Sequence, residues 1–203
     1  MEMKAITADA QRGLWKTALS SNPRDFAIIT IMATSAVRVG ELVSMTVGSL
    51  NLSKGEVWVN GKRGWRKVFL GKASIKAVDC YLEVRPPSFC DGLWIGQRGG
   101  PLTADGVRQM IQRLAERADV EGRSNPHAFR HRAAQAWLDR GINAEIVSKA
   151  MGHADVTVTL SIYSNQDDSS VRKAIREVEM SPFYDLADLE LDETVQGLKS
   201  GNR

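Results

Sequence analysis

The chain has only two cysteines, Cys80 and Cys90, and six prolines in 203 residues. Two thiols exclude a disulfide scaffold and a four-cysteine zinc site, and a reducing cytoplasm is the expected compartment. No apolar run approaches the ~18 residues of a membrane-spanning helix, so no membrane partner is expected. The N-terminus, MEMKAITADAQRG, has no apolar stretch after Lys4, and a secretory signal peptide is not expected either. A Walker-type glycine loop and an acidic cluster at metal-ligand spacing are both missing, so neither a nucleotide nor a metal cofactor is indicated.

What is present suits an ordinary globular protein. Hydrophobic residues make up 43% and charged residues 25%, enough for a real core, and wholesale disorder is excluded. The net charge is +3, unevenly placed. Residues 181–203 carry five acids and two bases, net −3, which leaves residues 1–180 at +6. A basic body permits a nucleic-acid partner and is equally compatible with a plain soluble surface.

Patterning predicts helices at 7–19 behind Thr7, at about 23–36 behind Asn22-Pro23, and a helix or helical turn at 38–46. The period then changes. Short strands are expected at 49–52, 55–59 and 66–70, the last two joined by the Gly-containing stretch NGKRGW. Helices follow at 72–84, stopped by Pro86-Pro87, at 104–118 behind Thr103, from Asn125-Pro126 to Arg140, and at 144–151 behind Asn143. Shorter helices are expected at 157–163 and 168–179. An amphipathic stretch at 183–198 carries Leu186, Leu189 and Leu191.

Four segments hold residues able to do chemistry. In the stretch 35–42, SAVRVGEL, Arg38 comes at the end of a buried apolar helix and needs a partner, which Glu41 supplies three residues on. Lys62, Arg63, Arg66 and Lys67 cluster at the hairpin, where bases reach a phosphate backbone or simply keep a turn soluble. In NPHAFRH, residues 125–131, His127 and Arg130 share a face at a helix start. A guanidinium clamps phosphate oxygens and an imidazole moves protons; His131 is expected to point elsewhere, in a structural role. Last, MGHAD at 151–155 places His153 ten residues before Tyr163, and tyrosine serves as a covalent nucleophile or as a packing residue.

In this combination and order the segments resemble the catalytic domain of the tyrosine recombinase (phage integrase) family, over about residues 7–180. The resemblance implies an α+β, mainly helical fold with a small antiparallel sheet of about three strands. It implies cleavage and rejoining of double-stranded DNA through a 3′-phosphotyrosyl intermediate, with no cofactor and no metal. Tyr163 would be the nucleophile. Arg38 and Arg130 would hold the phosphate, Lys62 would protonate the 5′-oxygen, His127 would assist proton transfer, His153 would bond the phosphate and Glu41 would orient Arg38. It further implies a monomer that forms a homo-tetramer on DNA, with residues 181–203 as a possible helix docking in trans. Residues 1–180 are expected to be the catalytic domain without the family's N-terminal core-binding domain, in a truncated chain or a minimal recombinase. Three departures matter. Ala36 stands where the family usually has glycine. The hairpin reads Gly-Lys-Arg-Gly-Trp rather than Gly-Lys-Gly-x-Lys, which keeps Lys67 as a second candidate lysine. The gap from His153 to Tyr163 is ten where nine is commonest, and Tyr184 is a second candidate nucleophile. A type IB topoisomerase-like enzyme is the neighbouring alternative, disfavoured because that family usually has lysine in place of His127; a non-catalytic DNA-binding module of the same fold is the other.

Overall fold

Helix α2 (Pro23–Ser35) is central because its sequence has no polar face: every residue from Asp25 to Ser35 is buried. The computed structural model describes residues 6–62, 64–120, 122, 124–152 and 173. Asn22 caps α2 by accepting the Asp25 N–H at 2.9 Å, and Pro23 sits in the first turn, where its missing N–H costs nothing. The buried hydroxyls of α2 are all satisfied. Thr30 donates to Phe26 O at 2.8 Å and accepts the Trp15 indole N–H at 3.1 Å; Thr34 pairs with Ser74 at 2.8 Å; Ser35 donates to Ile31 O at 2.7 Å.

Helices α1 (Ala8–Leu19), α4 (Lys72–Val84) and α6 (Pro126–Asp139) pack around α2, and α5 (Ala104–Arg117) packs on α1 and α6. After α2 come the short α3 (Val39–Val43), a 3-10 turn (Val47–Ser49) and an antiparallel sheet, β1 (Leu50–Asn51), β2 (Glu56–Gly61) and β3 (Gly64–Phe69), in that order. Helix α7 (Ala144–Met151) follows α6 and ends at Gly152. The sequence expectations for these helices agree to within one or two residues, apart from 38–46, which forms only the short α3. The expected helices at 157–163 and 168–179, and the stretch 183–198, lie outside the described residues.

The hairpin is tighter than its glycines suggest. The strands pair out to Gly61 and Gly64, so only residues 62 and 63 make the connection. Two-residue turns match the twist of paired strands best. Val57 and Val59 point into the core, and the register places Val68 and Arg66 opposite them on the same inward face. Trp58, Asn60, Trp65 and Lys67 take the outer face.

Between α4 and α5 no helix or extended strand forms, yet Leu93, Trp94 and Ile95 are buried. Trp94 stacks on Tyr81, centroids 5.4 Å apart, and donates its indole N–H to Leu42 O at 2.9 Å. The Tyr81 hydroxyl accepts the Ile95 N–H at 3.1 Å. This strap ties the end of α3 to α4.

Helix α2 ends because Ala36 turns left-handed, with φ 50° and ψ 26°. Glycine adopts that conformation freely, and an alanine there costs about 1–2 kcal/mol. The alanine methyl is fully buried, and its burial returns about 0.8 kcal/mol. Ala36→Gly is therefore expected to stay within ~1 kcal/mol of wild type. Ala36→Val adds a β-branched side chain to a filled, left-handed position and should cost ~2–3 kcal/mol. Urea unfolding of the two variants checks this; equal midpoints would contradict it.

Candidate active site

The break after α2 sets the direction of Arg38. Arg38 does not end α2, as its place in the sequence suggested; it caps α3. Glu41, three residues on, accepts the Arg38 backbone N–H at 2.8 Å and the Arg38 Nη1 at 3.0 Å. One carboxylate thus fixes both the start of α3 and the guanidinium it carries. The carboxylate side chain is only 3% exposed, and burial of this kind calls for further donors to its remaining lone pairs.

The second cation is Arg66 on β3. Its Nε and Nη2 donate to the two oxygens of Glu41 at 2.9 and 2.7 Å, a bidentate fork, and its Nη1 donates to Ala150 O at 2.9 Å. The sequence reading grouped Arg66 with the bases of the hairpin tip. The structure corrects this: the side chain lies on the inward face of the strand and is committed to protein. Lys67, the second candidate lysine, takes the outer face, 3.1 Å from Glu56 and over the Trp58 ring at 5.5 Å. Lys62 is exposed at the tip. It follows Gly61, where an added Cβ would come within 3.0 Å of Glu41 Cγ.

Helix α6 delivers the other arginine. Asn125 caps it, accepting the Ala128 N–H at 3.0 Å, with Pro126 in the first turn. Arg130 is 4% exposed. Its Nη1 donates to Ala36 O and its Nη2 to Met151 O at 2.7 Å. Burial, then the charges of Arg38 and Arg66, lower its pKa from 12.5 to about 10, against the opposing pull of Glu41; it remains a cation at neutral pH.

His127 is exposed one turn earlier on the same face. Contrary to expectation, His131 does not point elsewhere. At i+4 it meets His127, Nε2 to Nε2 at 3.1 Å, with the rings edge to face. One imidazole donates to the other. Burial first, then His131 and Arg130, pushes the His127 pKa down and favours its neutral form.

Arg38, His127 and Arg130 line one cleft of about 380 Å3, together with Val39, Asn125, Pro126 and Arg108 of α5. Arg108 was not singled out in the sequence; it is paired with Asp105 on its own helix. Lys62 is not among the lining residues. His153, Tyr163 and Tyr184 lie outside the described residues. The cleft chemistry is that of an anion seat, with guanidinium groups on two sides and an imidazole at the rim.

Glu41 makes the site acid-sensitive. Burial opposes its charge, yet hydrogen bonds and charge from Arg66, and then Arg38, outweigh this and lower its pKa from 4.5 to about 2. A carboxyl held lower in the folded than in the unfolded chain stabilises fully above the unfolded value. That stabilisation, about 3 kcal/mol at 1.36 kcal/mol per pKa unit, is lost as pH falls from about 4.5 towards 2. Urea midpoints of wild type should fall over that window, and Glu41→Gln should show a shallower fall. Parallel curves would contradict the assignment.

Residues 3–170 match the Phage integrase family, and the chain belongs to that family. Its mainly helical fold with a three-stranded antiparallel sheet is that of the tyrosine recombinase catalytic domain. Tyrosine recombinase XerC of Leptospira interrogans is 33% identical over 159 residues, 77% of this chain and 51% of that protein. Tyrosine recombinase XerD of Halalkalibacterium halodurans is 26% identical over 178 residues, 83% of this chain and 59% of that protein. The crystal structure of XerA recombinase superposes with a TM-score of 0.72 at 28% identity, covering 85% of this chain and 64% of that one. The chain thus spans about half the length of the curated relatives it matches. Among the described residues no helix is long and apolar enough to cross a membrane.

Proposed function

We propose that this chain is the catalytic part of a site-specific DNA recombinase that cuts and rejoins strands through a phosphotyrosyl link. One observation carries the reading: Arg38 and Arg130, from segments far apart in sequence, converge with His127 on one cleft. A phosphodiester seated there gains charge in the transition state, and fixed guanidinium groups meet that charge without reorganising. Arg38 and Arg130 hold the two non-bridging oxygens. Tyr163 Oη attacks phosphorus; a new P–O bond forms on the 3′ side and the bond to the 5′-oxygen breaks. His127 takes up the tyrosine proton and Lys62 gives one to the departing 5′-oxygen; His153 hydrogen-bonds the phosphate. One phosphoester replaces another, so the step balances with no energy source, and reversal by a different 5′-hydroxyl rejoins the strands. Lys62 is preferred over Lys67 because Lys67 is held on the outer face of the hairpin by Glu56. The same reading has DNA-bound tetramers, free monomers and residues 181–203 docking between neighbours.

The test uses a library of duplexes with randomised sequence and a nick close to every candidate phosphate, so that the cut fragment diffuses away and the covalent product persists. Adducts are isolated under denaturing conditions and the modified peptide is identified by mass spectrometry. Adducts on Tyr163 are expected. Retention of duplexes with no adduct on any residue would replace this reading with a non-catalytic DNA-binding module.

A further inference from the structure

A helix leaves its last carbonyls without intrahelical donors. At the end of α7 three consecutive carbonyls each receive a guanidinium, and each guanidinium comes from a different part of the fold. Ala150 O takes Arg66 Nη1 at 2.9 Å, Met151 O takes Arg130 Nη2 at 2.7 Å, and Gly152 O takes Arg38 Nη2 at 3.1 Å. Positive charge at this end also suits the helix dipole. Glu41 then joins Arg38 to Arg66 through its two oxygens.

The three arginines differ in what they have left to give. A guanidinium has five N–H donors. Arg38 and Arg130 each spend two on the described residues, which leaves each an edge for an anion. Arg66 spends three and does not line the cleft. Arg66 therefore serves the other two. We propose that Arg66 is a positioning residue: it locks Glu41 behind Arg38 and pins the last turn of α7, so that Arg38 and Arg130 are held in phosphate-binding geometry before any ligand arrives. This deepens the recombinase reading and rests on it.

Two glycines make room for the lock. An added Cβ at Gly61 would come within 3.0 Å of Glu41 Cγ, and one at Gly152 within 2.9 Å of Arg66 Cδ and Nε. Gly152 also needs its positive φ of 64°. Lysine cannot replace Arg66, because an ammonium has no planar fork to span both carboxylate oxygens and a carbonyl. Among the described residues the charged groups facing Glu41 are Arg38 on its own helix, Arg66 from the sheet and, through its field, Arg130 from α6.

The experiment compares wild type with Arg66→Lys, which keeps the charge, and with Gly152→Ala, which keeps the arginine but pushes on its stem. The first readout needs no DNA and no activity. Carbon-13 NMR follows the Glu41 carboxyl and proton NMR the Arg38 Nε–H of the free chain. Both variants should move the Glu41 titration up from about 2 and broaden or shift the Arg38 signal. The second readout is single-turnover covalent capture of the duplex that wild type captures. Capture should slow 10- to 100-fold in both variants, with the Kd for that duplex changed less than threefold and the acid limb of the rate displaced with Glu41. Thermal unfolding normalises both readouts to folded protein. Wild-type capture rates in the folded variants, or an unmoved Glu41 and Arg38, would overturn the proposal. If wild type captures no duplex, the recombinase reading fails, and the NMR readout still decides whether Arg66 holds Arg38.

Discussion

Phenylalanine at position 163 is expected to end covalent capture of DNA altogether while leaving folding and DNA binding close to wild type. The substitution removes one hydroxyl and keeps the ring, so little packing area changes. What goes is the only atom that would form the new bond to phosphorus. In the proposed step the arginines and His127 stabilise charge and move protons, and none of them supplies the bond to phosphorus. Denaturing gels of Tyr163→Phe with nicked duplexes should show no adduct, while native gels should show retardation within about threefold of wild type. An adduct that persists and maps to Tyr184 would move the nucleophile to the acidic tail. One that maps to neither tyrosine would remove the proposed chemistry.

Arg130→Ala should have the next largest effect. A preorganised donor aimed at developing negative charge is worth ~3–4 kcal/mol, or about 10²–10³ in rate. Arg130 is buried and positively charged, and it faces the cleft between Ala36 O and Met151 O. Its loss also strands those two carbonyls, at ~1–3 kcal/mol for each one left unsatisfied. The variant should therefore unfold at lower urea and cleave 10²- to 10³-fold more slowly in single turnover at saturating DNA. Arg130→Lys should recover the charge and little of the rate, since a point charge cannot bridge two carbonyls and still present an edge to phosphate. Rates within fivefold of wild type for both variants would take Arg130 out of the phosphate seat.

The helices of this chain were legible because their signals are local. Thr7, Asn22, Thr103, Asn125 and Asn143 each cap a helix as their position suggested, and the apolar run of α2 could only be buried. Arg38 with Glu41, and His127 with Arg130, were legible for the same reason, being three residues apart on helical turns. Arg66 was not. Its face depends on strand register, and register depends on turn length; placing a longer loop at NGKRGW loses the alternation that puts Arg66 opposite Val59. The burial of Glu41, which calls for the second cation, is itself visible only in the fold. His131 was misjudged, although a spacing of four places it beside His127. Arg108 and the strap around Trp94 depend on contacts across the fold, Leu93 N–H to Met45 O at 2.8 Å among them, and no periodicity announces such contacts.

The cluster of Arg38, Arg66 and Arg130 around Glu41 is out of balance. Among the described residues three cations meet one anion in a largely buried place, and mutual repulsion helps to lower the pKa of Arg130. A second carboxylate facing Arg130 would relieve that repulsion and make the resting fold sturdier. It would also occupy the seat. The described cluster thus trades stability for a seat that an anion can fill. On the proposed function, a polynucleotide backbone would act as the missing counter-ion, and the chain should then be at its most robust when it is engaged on DNA.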